Sequence, residues 1–258
     1  QKAATAYVEY MARKQQESGA AYLDLNVDEF STDVPEREKV MRWAAAIVQK
    51  ASSLPLSIDS SNMSILEAGL AACDKSRGKP MVNSVSLERL EALEVAKRHG
   101  AVVLAGATGA QSMPCNVAER LANLRVLMGH IGKAGIRPAE VFFDPLVFPV
   151  SVDPSNGPYV IDAIKALRRE YGAEVHFAPG LSNISFGMPN RKLLNQVFAR
   201  LCREAGMDGA IANPLHINGK ILDELDVAGE QYKLARAFLV AEDQFGMEYI
   251  TASREGRV

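Results

Sequence analysis

Three observations predict an α/β fold of the (β/α)8 TIM-barrel class. Strand-like and helix-like segments alternate strictly along the 258 residues. The strand segments are short, apolar on both faces and begin about every 20 to 40 residues, as parallel strands covered by helices do. No glycine-rich dinucleotide fingerprint follows the early strands, which weakens the alternative of an open doubly wound sheet.

Each element has its own local signal. In residues 4–18, Ala4, Tyr7, Val8 and Met11 recur at helical spacing, and Gly19 follows as a stop. Residues 21–27 form a strand pattern ending in Asn26 and Val27. A helix is predicted over 35–52, with Pro35 in its first turn, where the missing N–H costs nothing. The strand 54–58 runs into Asp59-Ser-Ser-Asn62, and a helix follows over 63–72. Strand 81–86 is followed by a helix over 87–99, and strand 101–107 by a loop and a helix over about 117–134. Strand 141–143 ends at Asp144-Pro145, and residues 158–171 are helical. The apolar run 175–179 leads into the polar loop 180–191, then a helix over 192–204. A strand over 209–213 and a long amphipathic helix over about 226–245 complete the pattern.

Seven strands result, near residues 22, 56, 81, 101, 141, 175 and 209, where a barrel has eight. The chain begins on a helix, so the expectation is a barrel whose first strand is missing from this chain. With no linker and no shift in composition, residues 1–258 are expected to form one domain.

A net charge of −2 argues against a nucleic-acid footprint and gives no sign of membrane attraction. No apolar run is long enough to span a bilayer, and no signal peptide is evident. Cys73, Cys115 and Cys202 are sparse, odd in number and without a CxxC pair, which points to a reducing compartment, the cytoplasm, and to no structural zinc.

The predicted strand ends carry a consistent chemistry. Asn26, Asp59, Asn83, Asp144, Asn183 and Asn213 stand at or near them, and in a barrel such positions face one mouth. The most unusual stretch is the loop 180–191, with Ser182, Asn183, Ser185, Asn190 and Arg191 between two apolar elements. It suits ligand binding through backbone N–H groups and short polar side chains. No lysine stands at a strand end, so Schiff-base chemistry has little support, and no His/Asp cluster has metal-ligand spacing. Carboxylates beside carboxamides suit a flat polar heterocycle: a carboxylate accepts two N–H bonds from a 2-amino-pyrimidinone edge. Asp59 and Asp144 are candidates for that role, with Asn83 between them. The competing reading makes such residues helix caps, with Asp59 capping the helix at Met63 and Asn116 capping the next-but-one.

Leu23-Asp-Leu-Asn-Val27, Ser57-Ile-Asp-Ser60, Val82-Asn-Ser84, Phe143-Asp-Pro145 and Gly180-Leu-Ser-Asn-Ile-Ser185 together resemble the pterin-binding methyltransferases. That family includes the methyltetrahydrofolate:corrinoid-protein methyltransferases and the folate module of cobalamin-dependent methionine synthase. The resemblance runs along nearly the whole chain in the same order. It implies a barrel, a homodimer, and methyl transfer between N5 of a tetrahydrofolate and the cobalt of a corrinoid on a partner protein. It implies that Asp59, Asn83 and Asp144 bind the pterin, that Gly180 and Ser182 contact it through backbone amides, and that Asn183 reaches toward N5. Asn26, Arg191 and Asn213 are further candidates, and no metal is held by the chain. Dihydropteroate synthases share the barrel but carry a Ser-Arg-Lys type sequence near this loop, where this chain has Ser182-Asn183-Ile184. A dihydropteroate-synthase-like transferase and a non-catalytic pterin-binding subunit are the alternatives. His216-Ile-Asn-Gly219 has half of a corrinoid-ligating Asp-x-His-x-x-Gly pattern, with Pro214 where the Asp belongs.

Overall fold

A computed structural model describes residues 2–258. Helices and strands alternate as α1 (Lys2–Glu17), β1 (Leu23–Asn26), α2 (Val34–Ala51), β2 (Leu56–Asp59), α3 (Met63–Ala71), β3 (Met81–Val85), α4 (Ala92–His99), β4 (Val102–Gly106), α5 (Val117–Lys133), β5 (Val141–Asp144), α6 (Asn156–Tyr171) and β6 (His176–Phe177). A 3-10 turn (Leu181–Ser185) and four helices follow: α7 (Arg191–Glu204), α8 (Gly219–Asp223), α9 (Glu230–Leu239) and α10 (Met247–Arg254). The strands hydrogen-bond in chain order, β1-β2-β3-β4-β5-β6, and β1 to β4 pair in parallel. A doubly wound sheet reverses its order at a switch point. This sheet has no reversal, so it has the winding of a (β/α)8 barrel. No helix is long and apolar enough to cross a membrane among the described residues.

The chain falls into two compact units, Gln1–Gly106 with Val126–Phe142, and Ala107–Arg125 with Phe143–Val258. In the first, α2 starts at Asp33, whose carboxylate accepts from Glu36 N at 3.2 Å while Pro35 takes the first turn. Period-2 alternation divides β1 to β3. Leu23, Leu56, Ile58 and Val82 are buried on one face. Ile58 meets α3 so closely that a Cβ on Gly69 would lie 2.6 Å from its Cγ2. Asp24, Asn26, Ser57, Asp59 and Asn83 occupy the other face. The expectation of strands apolar on both faces therefore holds for β4, which is buried throughout, and not for β1 to β3.

The second unit is built on aromatic packing. Phe143 meets Tyr171 at 5.4 Å and Phe177 at 5.9 Å between ring centroids, both edge-on. Gly157, in the first turn of α6, faces the last carbonyl of α9, and a Cβ there would lie 1.9 Å from Leu239 O. Gly157→Ala is expected to lower stability by about 1–3 kcal/mol by forcing the two backbones apart. A melt that matches the wild type would show that α9 moves aside without cost.

Three further sequence expectations change. Residues 209–213 do not form a strand: a single parallel bridge joins Ile211 to Gly180. A lone bridge has too few hydrogen bonds to make a ladder, and Asn213 already turns the chain. The helix expected over 226–245 stops at Leu239, because Ala241 (φ 62°) and Phe245 (φ 55°) adopt left-handed backbone. Asp243 then accepts from Glu248 N at 3.1 Å and Tyr249 N at 2.9 Å, so a separate helix α10 begins. Finally, α4 starts at Ala92 rather than 87, after turns closed by Ser86 O and Arg89 O.

Candidate functional site

In the first unit, Asn26 and Asp59 end β1 and β2 and stand in lateral register with Asn83, the middle residue of β3. Asp24 and Ser57 form the row two residues earlier, on the same face. Asp59 does not cap α3. Asn62 does, accepting from Ser64 N at 2.9 Å and Ile65 N at 3.4 Å. Asp59 is thus left with no structural use as a cap. Desolvation raises its carboxyl to about 6, and the nearby charges of Asp24 and Asp28 push the same way. A hydrogen bond from Asn26 and the Arg89 charge oppose them.

The neighbours of Asp59 are held in place. Asp28 accepts from Ser60 Oγ at 2.6 Å and Ser61 N at 2.7 Å, and pairs with Arg37 at 3.6 Å. Desolvation pushes the Asp28 carboxyl up, but the Ser60 and Ser61 hydrogen bonds and the Arg37 charge hold it below its ordinary range. Asn26 accepts from Asp28 N at 2.8 Å. With its amide also bonded to Asp59, Asn26 serves to support that carboxylate. Arg89 donates to Ser60 O at 2.7 Å. A cavity of about 490 Å3 opens beside the end of β1, lined by Asn26, Val27, Asp28, Glu29 and Phe30, within the usual range for small-molecule sites.

In the second unit, Asp144 ends β5. Its Oδ1 accepts from Leu146 N at 2.8 Å. Desolvation raises this carboxyl to about 6, against hydrogen bonds from the Leu146 and Gly180 amides and the charge of Arg120. Arg120 is fully buried. It donates to Pro145 O at 2.9 Å and Asn116 O at 3.1 Å, and lies over the rings of Phe148 and Tyr159. Asn116 accepts from Glu119 N at 2.9 Å, the cap expected of it.

The loop 180–191 is a 3-10 turn clamped by Arg191. The guanidinium donates to Ser182 O at 2.9 Å and Ser185 Oγ at 3.1 Å, and sits over the Phe186 ring at 5.8 Å. Ser185, fully buried, donates to Asn195 Oδ1 at 2.7 Å. This anchoring leaves Ser182 and Asn183 exposed at the tip. Asn183 spends its backbone on the turn, accepting from Phe186 N at 3.1 Å. Its side chain makes no hydrogen bond among the described residues. Arg191→Ala is expected to speed amide exchange of Ile184 and Phe186 and to weaken ligand binding by about tenfold, the scale of one charge-assisted hydrogen bond. Unchanged exchange would mean that Ser185 and Asn195 hold the turn alone.

Asn213 accepts from Leu215 N at 3.0 Å, so its side chain makes a local turn. His216 is exposed in that turn, its carbonyl accepting from Gln196. Among the described residues, no group of three or more His, Cys, Asp or Glu is placed to hold a metal ion. Sequence reading missed Asp24, Arg89 and Arg120. Asp24 had one usable signal, its alternation with Asn26 on a strand; the two arginines lie on helices and loops and had none.

Comparison with known proteins gives a consistent result. The family described as pterin binding enzyme matches residues 3–213. A methylcorrinoid:tetrahydrofolate methyltransferase of Eubacterium limosum is 30% identical over 260 residues, covering 98% of this chain and 89% of that protein. A methionine synthase of Mycobacterium leprae is 32% identical over 218 residues, 79% of this chain but 18% of that much longer protein. Among solved structures, dihydropteroate synthases from Vibrio fischeri and Xanthomonas albilineans align with TM-scores of 0.65 and 0.63 at 14% and 18% identity. They cover 93% and 89% of this chain, and 86% and 83% of their own. At such identity they establish the fold alone.

Proposed function

Because the chain belongs to the pterin-binding enzyme family, we propose that it is a methyltransferase moving a methyl group between N5 of a tetrahydrofolate and the cobalt of a corrinoid carried by a partner protein. The observation that carries this reading is the anchored loop with Asn183 free at its tip, where a dihydropteroate-synthase-like reaction calls for a basic residue. The likeness to the E. limosum protein over nearly its full length supports the same reaction class. That protein's name runs from methylcorrinoid to tetrahydrofolate and supports this direction for the present chain.

Asp59, Asn83 and Asp144 are assigned to the pterin. A carboxylate accepts N–H bonds from the 2-amino group and ring nitrogen, and it does so best when ionised. Ser182 is assigned to the ring through its backbone amide, as an exposed turn allows, whereas the Gly180 amide donates to Asp144 and serves to orient that carboxylate.

The difficulty of the reaction lies at N5. A methyl group on a tertiary amine leaves poorly, because the departing nitrogen keeps the electron pair of the broken bond as a strong base. A proton on N5 removes that problem. Asn183 is not an acid. Its amide oxygen can accept a hydrogen bond from a protonated N5, and so favours the transition state over the neutral ground state, with the proton delivered through water. In the reverse direction the same amide orients N5 before the proton leaves. The corrinoid, when its protein is docked, supplies the cobalt that gives or takes the methyl group. The residues of this chain position and polarise.

The test is methyl transfer between tetrahydrofolate and free cobalamin, followed by the absorbance of the reduced cobalt, and repeated with a corrinoid protein. Turnover in either direction establishes the class. Tight tetrahydrofolate binding without turnover in both arms would make the chain a binding subunit.

A further inference from the structure

Arg120 has no exposed surface and no task in the reading above. Taking a guanidinium out of water is costly unless its N–H groups and its charge are used. Its three hydrogen bonds among the described residues all end on backbone carbonyls, those of Asn116, Pro145 and Leu146. Tying α5 to the segment after β5 would explain such bonds, but a neutral donor could do that. The charge is used on Asp144, whose ionised form it favours.

The bond to Pro145 acts at the far end of one peptide unit. Pro145 O and Leu146 N belong to the same planar trans peptide, in which C=O and N–H point in opposite directions. Arg120 Nε donates to the oxygen end at 2.9 Å. The hydrogen end is thereby aimed at Asp144, whose Oδ1 accepts from it at 2.8 Å. The chain Nε–H···O=C–N–H···Oδ1 runs from a cation to a carboxylate, and a peptide polarised at both ends strengthens both bonds. Leu146 needs such a hold, because its backbone is left-handed (φ 63°), a conformation that a leucine rarely adopts. Arg120 also lies 3.5 Å from its carbonyl oxygen.

Resting on the assignment of Asp144 to the pterin, we propose that Arg120 is a positioning residue that fixes the Asp144 carboxylate for the ligand through the 145–146 peptide. Arg120 does not touch the ligand. Its hold on the peptide decides which carboxylate lone pairs are occupied by Leu146 N–H and which are left for the ring.

The experiment is a double-mutant cycle on tetrahydrofolate binding, measured by calorimetry at pH 7.5 on the wild type, Arg120→Gln, Asp144→Asn and the pair combined. Arg120→Gln should weaken binding about tenfold, the scale of one charge-assisted hydrogen bond. In the Asp144→Asn background the same change should cost less than about threefold, because the carboxylate it serves is already gone; independent losses would multiply to the full tenfold there. Proton NMR of the free protein gives a second reading without any change at Arg120. In Asp144→Asn, the Leu146 amide proton and the Arg120 Hε proton should both move to higher field, since a neutral acceptor slackens every bond in the chain.

A tenfold loss in both backgrounds overturns the proposal and makes Arg120 a structural tie. So does a folded Arg120→Gln protein with wild-type affinity, or an Arg120 Hε that does not respond to Asp144→Asn. Should Arg120→Gln fail to fold, Arg120→Lys takes its place in the cycle: it keeps the charge but not the planar fork, and an equal loss with and without Asp144 overturns the proposal in the same way. A wild type that does not bind tetrahydrofolate removes the pterin reading; the two proton shifts, read without ligand, then support or overturn the hold on Asp144 by themselves.

Discussion

Asn183→Ala is expected to lower methyl transfer at saturating tetrahydrofolate by about 10²–10³-fold, the usual loss when one preorganised polar group at a developing charge is removed. The Kd for tetrahydrofolate should change little by comparison, because the assigned ring contacts are made by Asp59, Asn83 and Asp144. The side chain is exposed and makes no hydrogen bond among the described residues, so its loss should leave the melting temperature near that of the wild type. That separation of rate from affinity and stability identifies a group acting on the transition state. Full activity at saturating pterin in this variant would remove Asn183 from the mechanism.

Asp144→Asn is expected to trade function for stability. The folded carboxyl titrates at about 6 against an ordinary 3.8. Between those values the native state holds more protons than the unfolded one, so stability falls as pH rises through this window and stays lower above it. Asn carries no charge to desolvate, and its oxygen can still accept from Leu146 N. Allowing for the partial exposure of the site, the variant should be more stable than wild type by about 1–2 kcal/mol above pH 6. That is about 2–6 °C in Tm for a chain of this size, and the gain should vanish near pH 4. The same change should weaken tetrahydrofolate binding by about 10²-fold at pH 7.5, because a charge-assisted acceptor pair is lost. Wild-type affinity should likewise drop below pH 6 as Asp59 and Asp144 take up protons. Unchanged binding in Asp144→Asn would take this carboxylate out of the pterin assignment. A variant less stable than wild type at pH 8 would show that its two backbone amides need the full negative charge.

The helix ends illustrate how local chemistry can be read and misread. Pro35 in the first turn of α2 and Asn116 before α5 were legible because a cap needs only a few neighbouring residues. Asp59 had the same local appearance as a cap, three residues before Asn62. Both satisfy the pattern, and only the backbone path into α3 decides that Asn62 takes the N–H groups. The break at Ala241 was hidden for a related reason. Residues 226–245 keep a helical apolar stripe, but Asp243 starts a new helix by binding the amides of Glu248 and Tyr249.

By itself, the sequence determined the α/β winding, the strand ends at Asn26, Asp59 and Asp144, and the polar loop around Asn183. Periodicity and composition act within a few residues and need no partner. The lateral register of Asn26, Asp59 and Asn83, the raised carboxyls of Asp59 and Asp144, the clamp of Arg191 and the hold of Arg120 on the peptide beside Asp144 were decided only by the tertiary structure. Each joins atoms that are distant in the chain or depends on desolvation, and desolvation exists only once the strands have been brought together.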